Sequence, residues 1–219
     1  MKLVNYSRQL AIELKEGDPF FLILESEQEL RDLVDELLIS VREDTEDWIL
    51  SDEEEIENKS SRMEMVFSPW VVDLNNKKIQ KGLMKQILKL LQQGVETDRA
   101  QNILGELSLL LDHLNEELAF GFEYEVEGIS EILKECGICF SEESDVLTRL
   151  NQYIKICSEL LGSRLFVFIG MKNYFSCEEI HTLAREAGYL GCCILCIENR
   201  SDETEKNMIL IDRDLCRVV

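Results

Sequence analysis

SRLFVFIGMKNYFSCEEIHTLAREAGYLGCCILCIE, residues 163–198, changes its hydrophobic period twice. RLFVFIG (164–170) is an almost unbroken apolar run, Ser176 to Ala187 reads as a helix, and GCCILCIE (191–198) is again unbroken. NMILID (207–212) follows as a third apolar run. Strands covered on both faces have this continuous character, whereas half-exposed strands alternate. Strand, helix, strand, strand with such runs predicts an α/β class and a buried sheet.

Reading toward the N-terminus adds strands to that sheet. LVNYS, LAIEL and FFLILE (3–25) are short strand patterns with EGDP as a turn, and EQELRDLVDELLISV (27–41) has helical spacing at Leu30, Leu33, Val34, Leu37 and Leu38. Residues 43–62 are dominated by acid and predict a loop or irregular edge. MEMVF (63–67) and WVVDL (70–74) are candidate strands split by Pro69. The middle of the chain is helical. After residues 74–95 comes TDRAQNILGELSLLLDHLNEELAF (97–120), which Thr97 or Asp98 could cap and which carries a broad leucine stripe. A turn near Gly94 would fold the two into a hairpin. EGISEILKECG (127–137) and ESDVLTRLNQYIKICSELLG (143–162) add further helices. The expected organisation is an α/β head built from residues 1–73 and 163–219, with a helical leg, 74–162, inserted between them.

Composition limits the function classes. With 219 residues, 45% hydrophobic and 31% charged, the chain can bury a core of its own. MKLVNYSRQL has no apolar signal region, and no run approaches the roughly 18 apolar residues of a membrane span, so a cytoplasmic location is expected. The eight cysteines are then read as reduced, small apolar residues.

Charge distribution is more informative than net charge. The chain carries −21, yet LNNKKIQKGLMKQILKLLQQGV (74–95) holds five lysines and no acid, leaving −26 for the remainder. On a helix, Lys77, Lys81, Lys85 and Lys89 recur every four residues along one slowly drifting face, flanked by Lys78, while Ile79, Leu83, Ile87, Leu90 and Leu91 make the apolar side. Solvated helix faces ordinarily mix both signs, and here no i, i+4 acid partner exists. A pure lysine face suits a phosphate backbone. The absence of aromatic residues within it favours duplex over stacked single strands.

Enzymatic patterns are sparse. There is no G-x-x-x-x-G-K-[ST] loop to cradle phosphates. Asp212 and Glu198 end apolar strands, where a magnesium-holding acid would stand, but strands commonly end so. Neither His113 nor His181 has a convincing Ser or Cys nucleophile nearby in sequence, so a hydrolase triad is not expected. The pairs Cys136/Cys139 and Cys193/Cys196 are C-x-x-C, but the first straddles a helix end and a candidate strand, and in the apolar run that holds the second, strand geometry points positions i and i+3 to opposite faces, so no structural metal is expected.

The order WVVDLNNKKIQKGLMKQI, LNEELAFGFEYEVEGISEILKECGI, SRLFVFIGMKNYFSCEEI and NMILIDRDLCRV resembles the CRISPR-associated spacer-acquisition (adaptation) protein of type II-A systems, the Csn-two family, from about residue 46 onward. The resemblance implies a sheet-containing head related to nucleotide-binding folds and a long helical leg. It also implies a homotetrameric ring that binds double-stranded DNA ends in its central hole, serving adaptive antiviral defence without catalysis. Lys77, Lys78, Lys81, Lys85 and Lys89 would then line that hole. Partners implied are DNA ends, further copies of the chain, other acquisition proteins and the effector nuclease. Calcium is the implied cofactor, held by carboxylates near the turn after the long helix. Here Glu116, Glu117, Glu123, Glu125 and Glu127 are available, with Glu117, Glu123 and Glu125 the expected ligands. AFGF (119–122) makes this turn longer and less acidic than the family's version, which points to an incomplete ligand set. The competing reading is an acidic protein that docks basic partners or mimics nucleic acid and binds no DNA itself.

Overall fold

In the computed structural model, residues 1–52, 55–118, 120–126, 128–141, 143–201, 205 and 207–218 are described. The chain runs β1 (Lys2–Asn5), β2 (Leu10–Glu13), β3 (Phe20–Leu24), α1 (Glu27–Glu43), β4 (Ile49–Asp52), β5 (Glu55–Glu57), α2 (Lys59–Arg62) and β6 (Met63–Val66). It continues with α3 (Lys77–Gln92), α4 (Thr97–Glu117), α5 (Ile129–Glu135), α6 (Val146–Ile156), β7 (Leu165–Ile169), α7 (Cys177–Gly188), β8 (Cys193–Glu198), β9 (Met208–Ile211) and β10 (Arg217–Val218).

The apolar runs do form a sheet. Six strands lie in the order β10-β9-β3-β8-β7-β6, all parallel except β10, which pairs antiparallel with β9. The class is therefore α/β. Alternation within each run sends side chains to two covered faces. Leu22, Leu24, Leu165, Val167, Leu195 and Ile197 join one core with Leu33 and Leu37 of α1. Phe166 on the other face meets Tyr153 of α6, with ring centroids 6.3 Å apart.

A second, antiparallel sheet of four strands, β2-β1-β4-β5, was not expected. Its β4 and β5, together with α2, occupy the acid-rich 43–62 stretch read as a loop or irregular edge, and β5 is an edge strand. Trp48 and Leu50 alternate into the core and are fully buried, while the acidic neighbours stay at the surface. Acid content marked one exposed face, not an absence of structure. WVVDL is not a strand either: Pro69 opens a short 3-10 turn, Pro69–Val71, where its fixed φ is favourable.

Contacts divide the chain into two compact units, Met1–Leu74 with Glu142–Val219, and Asn75–Ser141. The first boundary lies beside the expected one, but the second falls about twenty residues before 162. The reason is α6, whose Leu150, Tyr153, Ile154 and Ile156 are buried in the head. Tyr153 and Ser163 both hydrogen-bond Glu64 of β6.

In the helical unit, the Asn75 amide ties both chain ends together. Its Nδ2 donates to the Phe140 carbonyl at 3.0 Å, and its Oδ1 accepts from the Phe140 amide at 2.7 Å and from Gln80 at 2.9 Å. Gly94 takes φ +91° in the turn after α3. Glu96, not Thr97 or Asp98, occupies the N-cap position of α4, in the left-handed region and without a side-chain cap.

Candidate nucleic-acid interface

Asn76 starts α3 by accepting from the amides of Lys78 at 3.0 Å and Ile79 at 3.1 Å. Ile79 is fully buried and anchors the helix, and Leu83, Ile87 and Leu91 are half-buried. Lys77, Lys78, Lys81, Lys85 and Lys89 are all exposed. At 3.6 residues per turn they fall within an arc of about 120°, and the stripe runs about 18 Å along the axis. Among the described residues, Lys77, Lys81, Lys85 and Lys89 make no ion pair.

The start of α3 is electrostatically unusual. Peptide dipoles leave partial positive charge at a helix N-terminus, where acids are favourable and cations unfavourable. Two helices of the head obey this: Glu27 and Glu29 open α1, and Glu178 and Glu179 open α7. In α3 the first turn holds Lys77 and Lys78 and no acid. The lysines therefore stand there at some cost to the helix, offset by the Asn76 cap. Such a breach of a local rule is a sign of use.

The expected calcium ligands do not converge. Beyond α4 the chain doubles back, with the Phe122 amide donating to Asn115 at 2.7 Å and the Tyr124 hydroxyl to Asp112 at 2.5 Å and to the Ser108 carbonyl at 3.1 Å. Phe122 and Tyr124 face α4, so the alternating Glu123 and Glu125 are exposed, as is Glu117. Among the described residues no three His, Cys, Asp or Glu side chains form a metal-holding group. Glu127 lies outside the described residues. The described glutamates of one chain do not fit a calcium shell.

At the carboxyl ends of the strands, where open α/β sheets take ligands, the chain supplies its own filling. Only Glu25 and Ser26 separate β3 from α1, and the first turn of α1 is acidic, which repels phosphate. Glu198 at the end of β8 is buried, its Oε1 accepting from the Lys172 amide at 3.2 Å, and burial raises its pKa to about 7. The Lys172 ammonium pairs with buried Glu205 at 2.5 Å and lies 4.7 Å from the Phe21 ring centroid. Asp212 accepts from the amides of Asp214 and Cys216, closing the turn from β9 to β10. His113 is exposed, and His181 stands 3.9 Å from Asp18. Cys193 and Cys196 are buried in β8, whereas Cys136 and Cys139 are exposed near the end of α5.

The model of the family described as CRISPR-associated protein (Cas_Csn2) matches residues 41–215. The chain belongs to this family. The match takes in the whole lysine helix and the parallel strands from β6 to β9, and it fixes a CRISPR-associated role. No curated protein matches the chain. Among solved structures, one described as an ABC transporter ATP-binding protein from Pyrococcus furiosus aligns with 92% of this chain and 88% of its own, at 9% identity and a TM-score of 0.37. No helix among the described residues is long and apolar enough to cross a membrane.

Sequence reasoning located the lysine face but missed the residues that present it. Asn75 and Asn76 carry that job, and the signal was an Asn immediately before a helical pattern. The buried Lys172 and Glu205 had no local signal, because their pairing depends on the fold.

Proposed function

We propose that this family member is a non-catalytic cytoplasmic protein of CRISPR spacer acquisition that holds ends of double-stranded DNA in a lysine-lined channel formed by several copies of the chain, four in the simplest ring. The observation that carries this reading is the acid-free lysine face of α3, kept even in the first helical turn where the dipole opposes it. Duplex DNA carries one charge per roughly 1.7 Å of axis, so lysines spaced every ~6 Å meet phosphates without reading sequence.

Two further features support it. One chain offers few phosphate contacts, whereas a ring multiplies them. Ile103, Leu110, Leu114 and Leu118 form an exposed apolar stripe along α4, a surface suited to a second copy. The head carries 33 acidic against 16 basic residues, so DNA is repelled from it and steered elsewhere. That same acidic head fits docking by other acquisition proteins and the effector nuclease. It would also serve the competing reading, a charge-mimicking protein without DNA binding, which leaves the lysine face without a purpose.

The test is the substitution of Lys77, Lys81, Lys85 and Lys89 by Gln, which keeps helix propensity. Duplex affinity should fall by more than about tenfold, with a shallower dependence on salt, while folding survives. Linear duplex should bind, and covalently closed circles should not compete. Parent-like binding by the quadruple variant, or equal competition by circles, would reject the channel.

A further inference from the structure

We propose that the acid-walled groove between α6 and α7 in the head is a docking site for a basic, arginine- or lysine-rich segment of a partner protein, with Trp70 as an adjoining aromatic anchor. The groove belongs to different elements from the lysine helix and does not depend on the DNA reading.

The two helices leave a cleft of about 490 Å³ between their starts, floored by Leu147 and Leu183. Asn151 and Thr148 line it and also line a second cavity of about 360 Å³ that continues between the same helices toward Lys155 and Glu186. Its walls are acidic. Glu143, Glu178, Glu179 and Glu186 are exposed along it, against one basic side chain, Lys155. Among the described residues, Glu143, Glu178 and Glu186 make no ion pair. Asp145, which caps α6, and Glu179, whose carboxylate accepts from the Ser176 amide and hydroxyl at 2.8 Å each, add negative charge at the start of the cleft. Like charges facing across a cleft focus a negative potential that a cation relieves.

An aromatic cluster adjoins the segment that enters the groove. Trp70 is 52% exposed, meets Tyr174 edge-on at 4.6 Å between centroids, and lies parallel to Phe175 at 6.5 Å. Phe175 immediately precedes Ser176, which lines the groove, and Arg149 of α6 donates to the Pro69 carbonyl beside Trp70. An exposed indole is the best ring for holding a guanidinium or ammonium. Carboxylates and an indole together select a cationic peptide. They repel nucleic acid, and their carboxylates do not converge as metal ligands do.

The probe is an alternating arginine–alanine dodecapeptide, with a glutamine–alanine peptide as control, titrated into the full chain. Trp48 is fully buried, so a change in tryptophan emission reports Trp70. The arginine peptide should bind and shift the emission, and the control should not. Glu178→Gln with Glu186→Gln should weaken binding by about tenfold, whereas Asp32→Asn with Asp35→Asn, equally charge-reducing on exposed α1, should change it less than about twofold. Trp70→Leu should also weaken it by about fivefold. Equal losses from the two charge-matched pairs, no loss from Trp70→Leu, no binding by the parent, or a Trp70 response to duplex DNA instead would each overturn the proposal.

Discussion

Asn75 and Phe140 exchange two hydrogen bonds across 65 residues of chain, one from the Asn75 amide to the Phe140 carbonyl and one from the Phe140 amide to Asn75 Oδ1. One side chain thus closes the helical unit at the point where both its ends leave, and the same oxygen also accepts from Gln80 inside α3. Lysine presentation and unit closure are thereby coupled through one amide. Asn75→Ala removes all three bonds, and at about 1 kcal/mol each the helical unit should lose roughly 2–3 kcal/mol. The Phe140 amide should lose its protection from hydrogen exchange. Asn75→Asp should restore much of that protection but not the full stability, because a carboxylate still accepts from the Phe140 amide and from Gln80 but offers no proton to the Phe140 carbonyl. Parent-like protection in Asn75→Ala would show that other contacts close the unit.

Gly188, the last residue of α7, lies against the backbone of Gly17. A Cβ at Gly188 would stand 2.4 Å from the Gly17 nitrogen and 2.6 Å from its Cα. Neither partner can rotate away, since both are main chain. Gly188→Ala should therefore force apart the start of β3 and the end of α7, costing about 1–3 kcal/mol or more despite the better helix propensity of alanine. Thermal unfolding measures it; an unchanged or raised midpoint would contradict this packing.

Sequence reading succeeded where a residue's burial follows from its own strand or helix, and failed where a partner distant in the chain decides. The runs of β7 and β8 announce a doubly covered sheet by themselves. In the 43–62 stretch, the alternation of Trp48 and Leu50 was the available signal, hidden by acids that decorate the outer face of a small sheet. The helix α6 looks like its neighbours in sequence, and only Tyr153 against Phe166 and Glu64 assigns it to the head. The lysine face was legible because spacing alone sets it, whereas the groove between α6 and α7 was not, because Glu178 and Glu143 come from segments 35 residues apart.

Glu198 makes the stability of the head depend on pH. Its folded pKa, raised to about 7 by burial, exceeds the ordinary value of 4.5, so the neutral form suits the fold. Below about pH 4.5 both folded and unfolded states hold the proton. Between about 4.5 and 7 only the unfolded state releases it, and the fold loses stability as pH rises. The total reaches about 3 kcal/mol above pH 7. Glu198→Gln keeps an acceptor for the Lys172 amide and removes the titration, leaving Lys172, Glu205 and Cys196 around it. The variant should gain on the parent as pH is raised from 5 to 8 in denaturant melts. A stability difference that stays flat over this range would show Glu198 ionised throughout.

The two ends of the lysine stripe should respond oppositely in stability and alike in DNA binding. Lys77 is the first residue of α3, where a cation opposes the dipole, and Lys89 lies in the last turn, where a cation complements it. Both are exposed and, among the described residues, unpaired. Lys77→Glu should therefore stabilise α3 by about 0.5–1 kcal/mol, read as slower amide exchange along the helix, and Lys89→Glu should destabilise it by a similar amount. Under the proposed function, each change also replaces a cation that meets phosphate with an anion. Duplex affinity should fall in both, and the slope of log K against log salt should lose about 0.9 for each phosphate contact removed. A chain more stable yet poorer at binding DNA, as expected for Lys77→Glu, would separate the helix's own preference from its use. If Lys77→Glu stabilises the helix and leaves duplex binding unchanged, the first turn does not touch DNA, and the reason for its lysines lies elsewhere.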